Sequence, residues 1–326
     1  MKRVLALVLL LACGTGLADP IPTESGPLEG IVLPSGVRAW LGVPMAAPPV
    51  RELRWKPPAP APKWSGTFHA DRYAPMCLQS LRSRTMNHYF GNEATSEDCL
   101  YLNIWAPPAG ERLPVIIWIY GGGFNVGSAS MANYSGENLA RDGVVRVNLA
   151  YRLGALGFLA HPDLTRESGY GGSGNYGLMD LIAGLRWVQR NISAFGGDPS
   201  NVTIVGQSAG SMAVSLLQQS PEAHGLFSKA VGMSGSAFGE QANAVPLEQA
   251  EASGVALQNS LGVDSIEALR DIAGDKIVSA AVPREPIVID GRYVIGARAA
   301  FEQHKHSDVP LMLGFTKDES FRSLGP

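Results

Sequence analysis

A serine with glycine two residues away on either side, Gly206-Gln207-Ser208-Ala209-Gly210, has the G-x-S-x-G form of an acyl-transfer nucleophile. The bare pattern is common by chance, so its setting decides. Val202 to Val205 reads as a short strand and Ser211 to Gln219 as a helix. A sharp strand-to-helix turn holds a serine on a strained backbone with its hydroxyl pointing out of the sheet. The flanking glycines let strand and helix close on that turn without a Cβ clash. The helix behind adds a field that favours developing negative charge. The chemistry indicated is attack of the Ser208 hydroxyl on a carbonyl.

Such an attack needs backbone N–H donors aimed at the oxyanion, each worth roughly 3–4 kcal/mol when removed. Ala209, the residue after the nucleophile, is one expected donor. Tyr120-Gly121-Gly122-Gly123-Phe124 follows an apolar strand and offers Gly122 and Gly123 as the others. A phosphate-binding loop fits poorly, because neither G-x-G-x-x-G nor a P-loop lysine is present there. A serine is also a weak nucleophile without a base. Of the six histidines, His69, His88, His161 and His224 fall in loop-like or helical stretches and read as structural or solvated. His304 and His306 stand just before the last strand. A short hydrolase could combine Ser208, Asp290 and His306, although Asp290-Gly291 reads first as a turn. No further ligands accompany His304 and His306 to form a metal site, and the mechanism calls for no cofactor.

The positioning elements follow from the change of rhythm along the chain. Ile21 to Trp64 is rich in Pro and Gly with short apolar pieces such as Val37 to Leu41, predicting small antiparallel strands ahead of the main sheet. Val115 to Tyr120, Val144 to Tyr151, Ala230 to Met233 and Pro310 to Phe315 then read as strands. Gly177 to Ala194 carries Leu178, Leu181, Ile182, Leu185, Val188 and Ile192 at helical spacing, and Gly196-Gly197 stops it. Buried strands alternating with helices predict an α/β fold with a mostly parallel central sheet flanked by helices. With 326 residues, 45% hydrophobic and 17% charged, the composition is that of a globular chain with a large core. A net charge of -3 gives no basic face for nucleic acid.

Several longer motifs, in order, resemble the type-B carboxylesterase and cholinesterase-like family. They are Ser96 to Asn103 (SEDCLYLN), Tyr120 to Phe124, Asn148 to Arg152 (NLAYR), Gly174 to Asp180 (GNYGLMD), Phe195 to Pro199 (FGGDP) and Gly206 to Gly210. The resemblance runs from about Gly26 to the last residue and implies a single α/β-hydrolase domain, incomplete at the C-terminus. It implies a Cys77–Cys99 disulfide at the rim of the site and an ion pair of Glu97 with Arg54. By the same resemblance Glu319, in Lys317-Asp318-Glu319 after the last strand, is the triad acid that orients an imidazolium. Ser234 matches a serine supporting the acid–histidine network, and a strand-end turn explains it equally well. The family's histidine follows the acid, whereas here the sequence stops seven residues after Glu319 with no His among them. The expectation is a serine carboxylic-ester hydrolase whose catalytic histidine is not in this chain. Loss of a triad histidine costs about a factor of 10⁶ in turnover, so the chain as given is expected to be inactive or nearly so. The Cys77–Cys99 loop contains no Trp, which argues against choline esters. Phe124, Phe238 and Phe321 could line an acyl pocket or pack in the core.

The N-terminus reads as an export signal. Met1-Lys2-Arg3 precede the apolar run Val4 to Ala12, and Gly16-Leu17-Ala18 suits cleavage before Asp19, making 1–18 a leader and 19–326 the domain. That predicts a periplasmic or secreted protein. Leu10-Leu11-Ala12-Cys13 leaves open a lipid anchor at Cys13. No run approaches the roughly 20 apolar residues of a membrane span. With Cys13 removed or lipidated, an oxidising compartment permits Cys77 and Cys99 to pair, two separate buried thiols being the other reading. The expected partner is a small carboxylic ester. Competing readings are a non-catalytic binding or adhesion protein on the same fold, which would ordinarily lose the serine, and a gene fragment without a folded product.

Overall fold

The computed structural model describes residues 16–80, 91–238, 244–281 and 286–317. A nine-stranded sheet organises them, built from β1 (Gly16–Leu17), β2 (Ile31–Val32), β3 (Arg38–Pro44), β4 (Tyr101–Ala106), β5 (Leu113–Ile119), β6 (Val145–Leu149), β7 (Gly197–Gln207), β8 (Lys229–Met233) and β9 (Leu311–Gly314). Their spatial order is β1-β2-β3-β4-β6-β5-β7-β8-β9. The pairings β6/β5, β5/β7, β7/β8 and β8/β9 are parallel, as the alternation of apolar runs with helical patterns predicts. The pairings β1/β2, β2/β3, β3/β4 and β4/β6 are antiparallel.

The sheet is therefore mixed, parallel in its C-terminal half only. Of the short N-terminal strands expected ahead of the main sheet, β2 and β3 belong to it, Trp40 and Val43 of β3 pairing with Ile104 and Leu102 of β4. Ile21–Thr23 and Gly26–Glu29 instead pair antiparallel in a separate three-stranded sheet with Phe68–His69. Local reading found the strands and not their partners. Gly16 and Leu17 pair with Val32 and Ile31, and Ala18 donates its N–H to Gly30 at 3.0 Å. Residues 1–15, including Cys13, lie outside the described residues.

Burial explains the strand identities. Val115, Ile117 and Ile119 of β5 point to one fully covered face, and all five residues of β6 are buried. Arg146 is buried on β6, with its Nε bonded to Asn148 Oδ1 at 3.0 Å and its guanidinium 5.0 Å from the Trp118 ring centre. Burial lowers its pKa to about 10. Helix α1 (Tyr176–Asn191) covers the sheet with most of its residues buried, and a 3-10 turn (Ile192–Phe195) continues it. Trp187 and Trp40 both pack on the Phe195 ring, at 5.8 and 4.8 Å between ring centres. Helix α2 (Ala209–Gln219) starts directly after β7.

Two charged pairs bind loops to this core. Asp180 of α1, fully buried, accepts from Arg152 Nη2 at 2.7 Å, Arg152 Nε at 2.8 Å and the Arg152 backbone N–H at 3.0 Å. Arg54 makes a bidentate pair with Glu97 at 2.6 and 2.8 Å and donates to the carbonyls of Arg270 and Ile272. Bidentate geometry makes such pairs directional as well as attractive. Cys77 and Cys99 are disulfide-bonded and buried, 4.9 Å apart at Cα. Among the described residues no helix is long and apolar enough to cross a membrane.

Candidate active site

Ser208 occupies the single residue between β7 and α2, with φ 55° and ψ −124°. An L-residue held there stores about 1–3 kcal/mol of strain. The surrounding bonds fix it: Ser208 donates its N–H to the Met233 carbonyl at 2.8 Å, and its own carbonyl accepts from Met212 at 3.0 Å. Ser211 Oγ donates to the Gly235 carbonyl at 2.6 Å, tying the first turn of α2 to the segment after β8. Close packing explains the two glycines of the motif. A Cβ on Gly206 would lie 2.3 Å from Gly210, and one on Gly210 only 2.1 Å from the Ile119 carbonyl oxygen.

The glycine loop lies directly against this turn. A Cβ on Gly121 would sit 3.1 Å from Ser208 Cβ and 2.6 Å from the Gln207 carbonyl. Gly122 and Gly123 have φ of +112° and +67°, values that L side chains resist. The Gly122 carbonyl accepts from both Asn125 and Val126 at 3.1 Å, which curls the loop back on itself. Among the described residues the Gly122 and Gly123 amides donate to no acceptor. Ala209 opens α2, where helix geometry leaves its N–H without an intrahelical partner. Three open donors thus flank one strained serine.

Aromatic packing stiffens the loop from behind. Tyr120 and Tyr151 stack at 4.5 Å, Tyr151 Oη donating to the Tyr120 carbonyl at 2.8 Å and Tyr120 Oη to the Tyr151 carbonyl at 3.2 Å. Burial pushes both phenols well above their usual pKa, so they remain donors. Phe124 is buried against Tyr151 and Phe158, which makes it core packing and not an acyl-pocket wall. Phe238 is exposed and contacts Phe301. Phe321 lies outside the described residues.

The remaining candidates fall as follows. Ser234 follows β8 with φ 55° and donates its N–H to the Gly314 carbonyl of β9 at 2.8 Å, so it has a strand-end geometry one residue beyond the Met233 carbonyl that Ser208 engages. Glu319 lies outside the described residues. The short triad of Ser208, Asp290 and His306 is not assembled. Asp290 Oδ1 accepts from the backbone of Arg292, Tyr293 and Val294, and its Oδ2 from Asn175 at 2.9 Å. The predicted turn has taken up that carboxylate. His306 stacks on Phe301 at 4.0 Å. His69 bonds to Glu29, and His161 caps a short helix (Pro162–Glu167). Among the described residues no histidine hydrogen-bonds to Ser208. His88 is outside them.

One buried contact escaped the sequence reading: the Gln79 amide bonds in both directions to the backbone of Gly127, at the foot of the glycine loop. Its only signal was a polar residue two positions after Cys77.

The carboxylesterase family profile matches residues 18–324. Fumonisin B1 esterase from Sphingopyxis macrogoltabida is 43% identical over 313 residues, covering 91% of this chain and 55% of that protein. Para-nitrobenzyl esterase from Bacillus subtilis (strain 168) is 35% identical, over 94% of this chain and 64% of its own length. A solved PNB esterase structure superposes with a TM-score of 0.84 at 35% identity, covering 92% of this chain and 63% of that one. The chain thus spans between about half and two thirds of the length of these relatives. The mixed sheet, the elbow after β7 and the glycine loop after β5 are those of an α/β-hydrolase fold, and this chain belongs to the carboxylesterase family.

Proposed function

We propose that the protein hydrolyses small carboxylic esters through an acyl-enzyme on Ser208. The observation that carries this is the strained Ser208 elbow packed against a glycine loop whose Gly122 and Gly123 amides have no acceptor among the described residues. Ser208 Oγ attacks the ester carbonyl and passes its proton to a base. The N–H groups of Gly122, Gly123 and Ala209 hold the oxyanion of the tetrahedral intermediate. Collapse breaks the C–O bond and expels the alcohol, which takes up the proton, and water then attacks the acyl-serine by the reverse sequence. Glu319 serves as the acid that orients an imidazolium. The names of the esterase relatives support an ester as substrate. The leader-like residues 1–18 and the buried disulfide support export to an oxidising compartment.

None of the described histidines serves Ser208, so the test supplies the base. Hydrolysis of p-nitrophenyl butyrate is followed for the chain and for Ser208→Ala, each with and without added imidazole. Expected is hydrolysis that depends on Ser208 and rises with imidazole beyond the Ser208→Ala background. Equal rates for both proteins under all conditions would overturn the proposal. A His306→Ala variant decides the short triad, whose loss of all imidazole-independent turnover would revive it.

A further inference from the structure

The Gln79 side chain treats Gly127 as one strand treats another. Its Nε2 donates to the Gly127 carbonyl at 2.8 Å, and its Oε1 accepts the Gly127 N–H at 2.8 Å. Nε2 also donates to the Cys77 carbonyl at 2.9 Å. Gln79 is buried, so each of these bonds is made away from water, where leaving a partner unpaired costs about 1–3 kcal/mol.

Gly127 stands where the glycine loop returns to its own stem. A Cβ there would lie 2.5 Å from the Tyr120 ring and 2.7 Å from the Gly121 carbonyl. Between Gly121 and Gly127 the Asn125 and Val126 amides bond back to the Gly122 carbonyl, and the Phe124 carbonyl accepts from Gly154. Further pins lie two residues later, where the Ala129 carbonyl accepts from Asn103 and Asn148 at 3.2 and 3.1 Å. Among the described residues no other side chain bonds to Gly127. Gln79 is itself fixed close to Cys77, whose disulfide to Cys99 leads into β4 two residues on.

We propose that Gln79 is a positioning residue for the oxyanion donors, setting the loop so that the Gly122 and Gly123 amides face Ser208. This rests on the ester-hydrolase reading above. A geometry correct to about 0.5 Å is needed for such donors to act. Freed from Gln79, the returning limb would lose its two-way clamp, and the amides would point at the oxyanion only part of the time.

The test compares the full chain with Gln79→Met, which keeps the volume and removes all three bonds, and Gln79→Glu, which keeps only the acceptor. Hydrogen exchange is read by mass spectrometry over Tyr120 to Val126, with α1 as internal reference. Phosphonylation of Ser208 by a p-nitrophenyl phosphonate is timed in imidazole buffer. Expected is faster exchange confined to the loop, with a limiting phosphonylation rate lower by about 10²-fold. The half-saturating concentration stays as in wild type, and Gln79→Glu, whose second oxygen faces the Cys77 and Gly127 carbonyls, is slowed at least as much as Gln79→Met. Unchanged loop exchange in both variants overturns the proposal, as does faster exchange with a wild-type phosphonylation rate. If wild type is not phosphonylated at all, the ester-hydrolase reading fails and exchange alone decides the clamp. Should Gln79→Met not fold, Gln79→Glu carries the same comparison.

Discussion

Replacing Gly210 by alanine sets two opposing effects against each other. Gly210 is the second residue of α2 and does not have a positive φ, so helix propensity alone favours alanine by about 0.5–1 kcal/mol. The added Cβ, however, would lie 2.1 Å from the Ile119 oxygen, 2.9 Å from Ile119 C and 3.0 Å from Tyr120 C. All three are backbone atoms at the end of β5, a strand hydrogen-bonded on both sides by β6 and β7. No rotamer change relieves them, so α2 must retreat by about 1 Å, and overpacking of that kind costs about 1–3 kcal/mol. The clash outweighs propensity, leaving a net loss of about 1–2 kcal/mol. Because Ser208 immediately precedes α2, the same shift withdraws the nucleophile and should slow its reaction by about 10²-fold. Urea unfolding gives the stability change, with Gly314→Ala as control, since a Cβ there meets nothing within 4 Å. A Gly210→Ala protein as stable as wild type, or more so, would refute the close-packing explanation of the motif's second glycine.

Three further outcomes follow from particular contacts. Ser208→Gly should be more stable than Ser208→Ala by about 1 kcal/mol in the same unfolding assay, because strain relief exceeds the extra chain entropy of glycine; equal stability would mean the elbow is unstrained. His161 is buried, and its Nδ1 accepts the Asp163 N–H at 3.1 Å, so burial depresses its pKa despite the nearby Asp163 and Glu251. The neutral ring therefore contributes fully above pH of about 6.5 and loses that contribution as pH falls through the lower folded pKa. His161→Asn, which keeps a capping acceptor, should flatten the loss of stability on acidification. Converting both Cys77 and Cys99 to serine should lower the unfolding free energy by about 3 kcal/mol, from the 22-residue separation that the bond spans.

The elbow and the glycine loop proposed to hold the nucleophile and its donors were legible because their requirements are local. Ser208 needs a particular strand-turn-helix run, and Gly122 and Gly123 need positive φ, so residue type and order disclose them. Family motifs added Arg54 with Glu97 and Cys77 with Cys99, partners that spacing alone leaves open. What stayed hidden depends on distant segments meeting. β3 looked like a separate element until Trp40 and Val43 found β4, 60 or so residues away in a pairing that period-2 patterning cannot choose. Phe124 read equally as pocket wall or core, and contact with Tyr151 and Phe158 decided it. Asp290 offered a carboxylate near His306 in sequence, yet its turn takes up one oxygen and Asn175 the other. The Gln79 clamp had no signal beyond its residue type. Helix Leu247–Ser260 also went unread, since its apolar residues show weak periodicity.

The most direct test of Ser208 as nucleophile is covalent capture. The full chain is incubated with a p-nitrophenyl phosphonate in imidazole buffer, digested and sequenced by mass spectrometry. The account predicts one phosphonyl adduct per chain, on the peptide carrying Ser208, and none on Ser208→Ala. An adduct that persists in Ser208→Ala, or modification spread over other hydroxyls with Ser208 untouched, would contradict it.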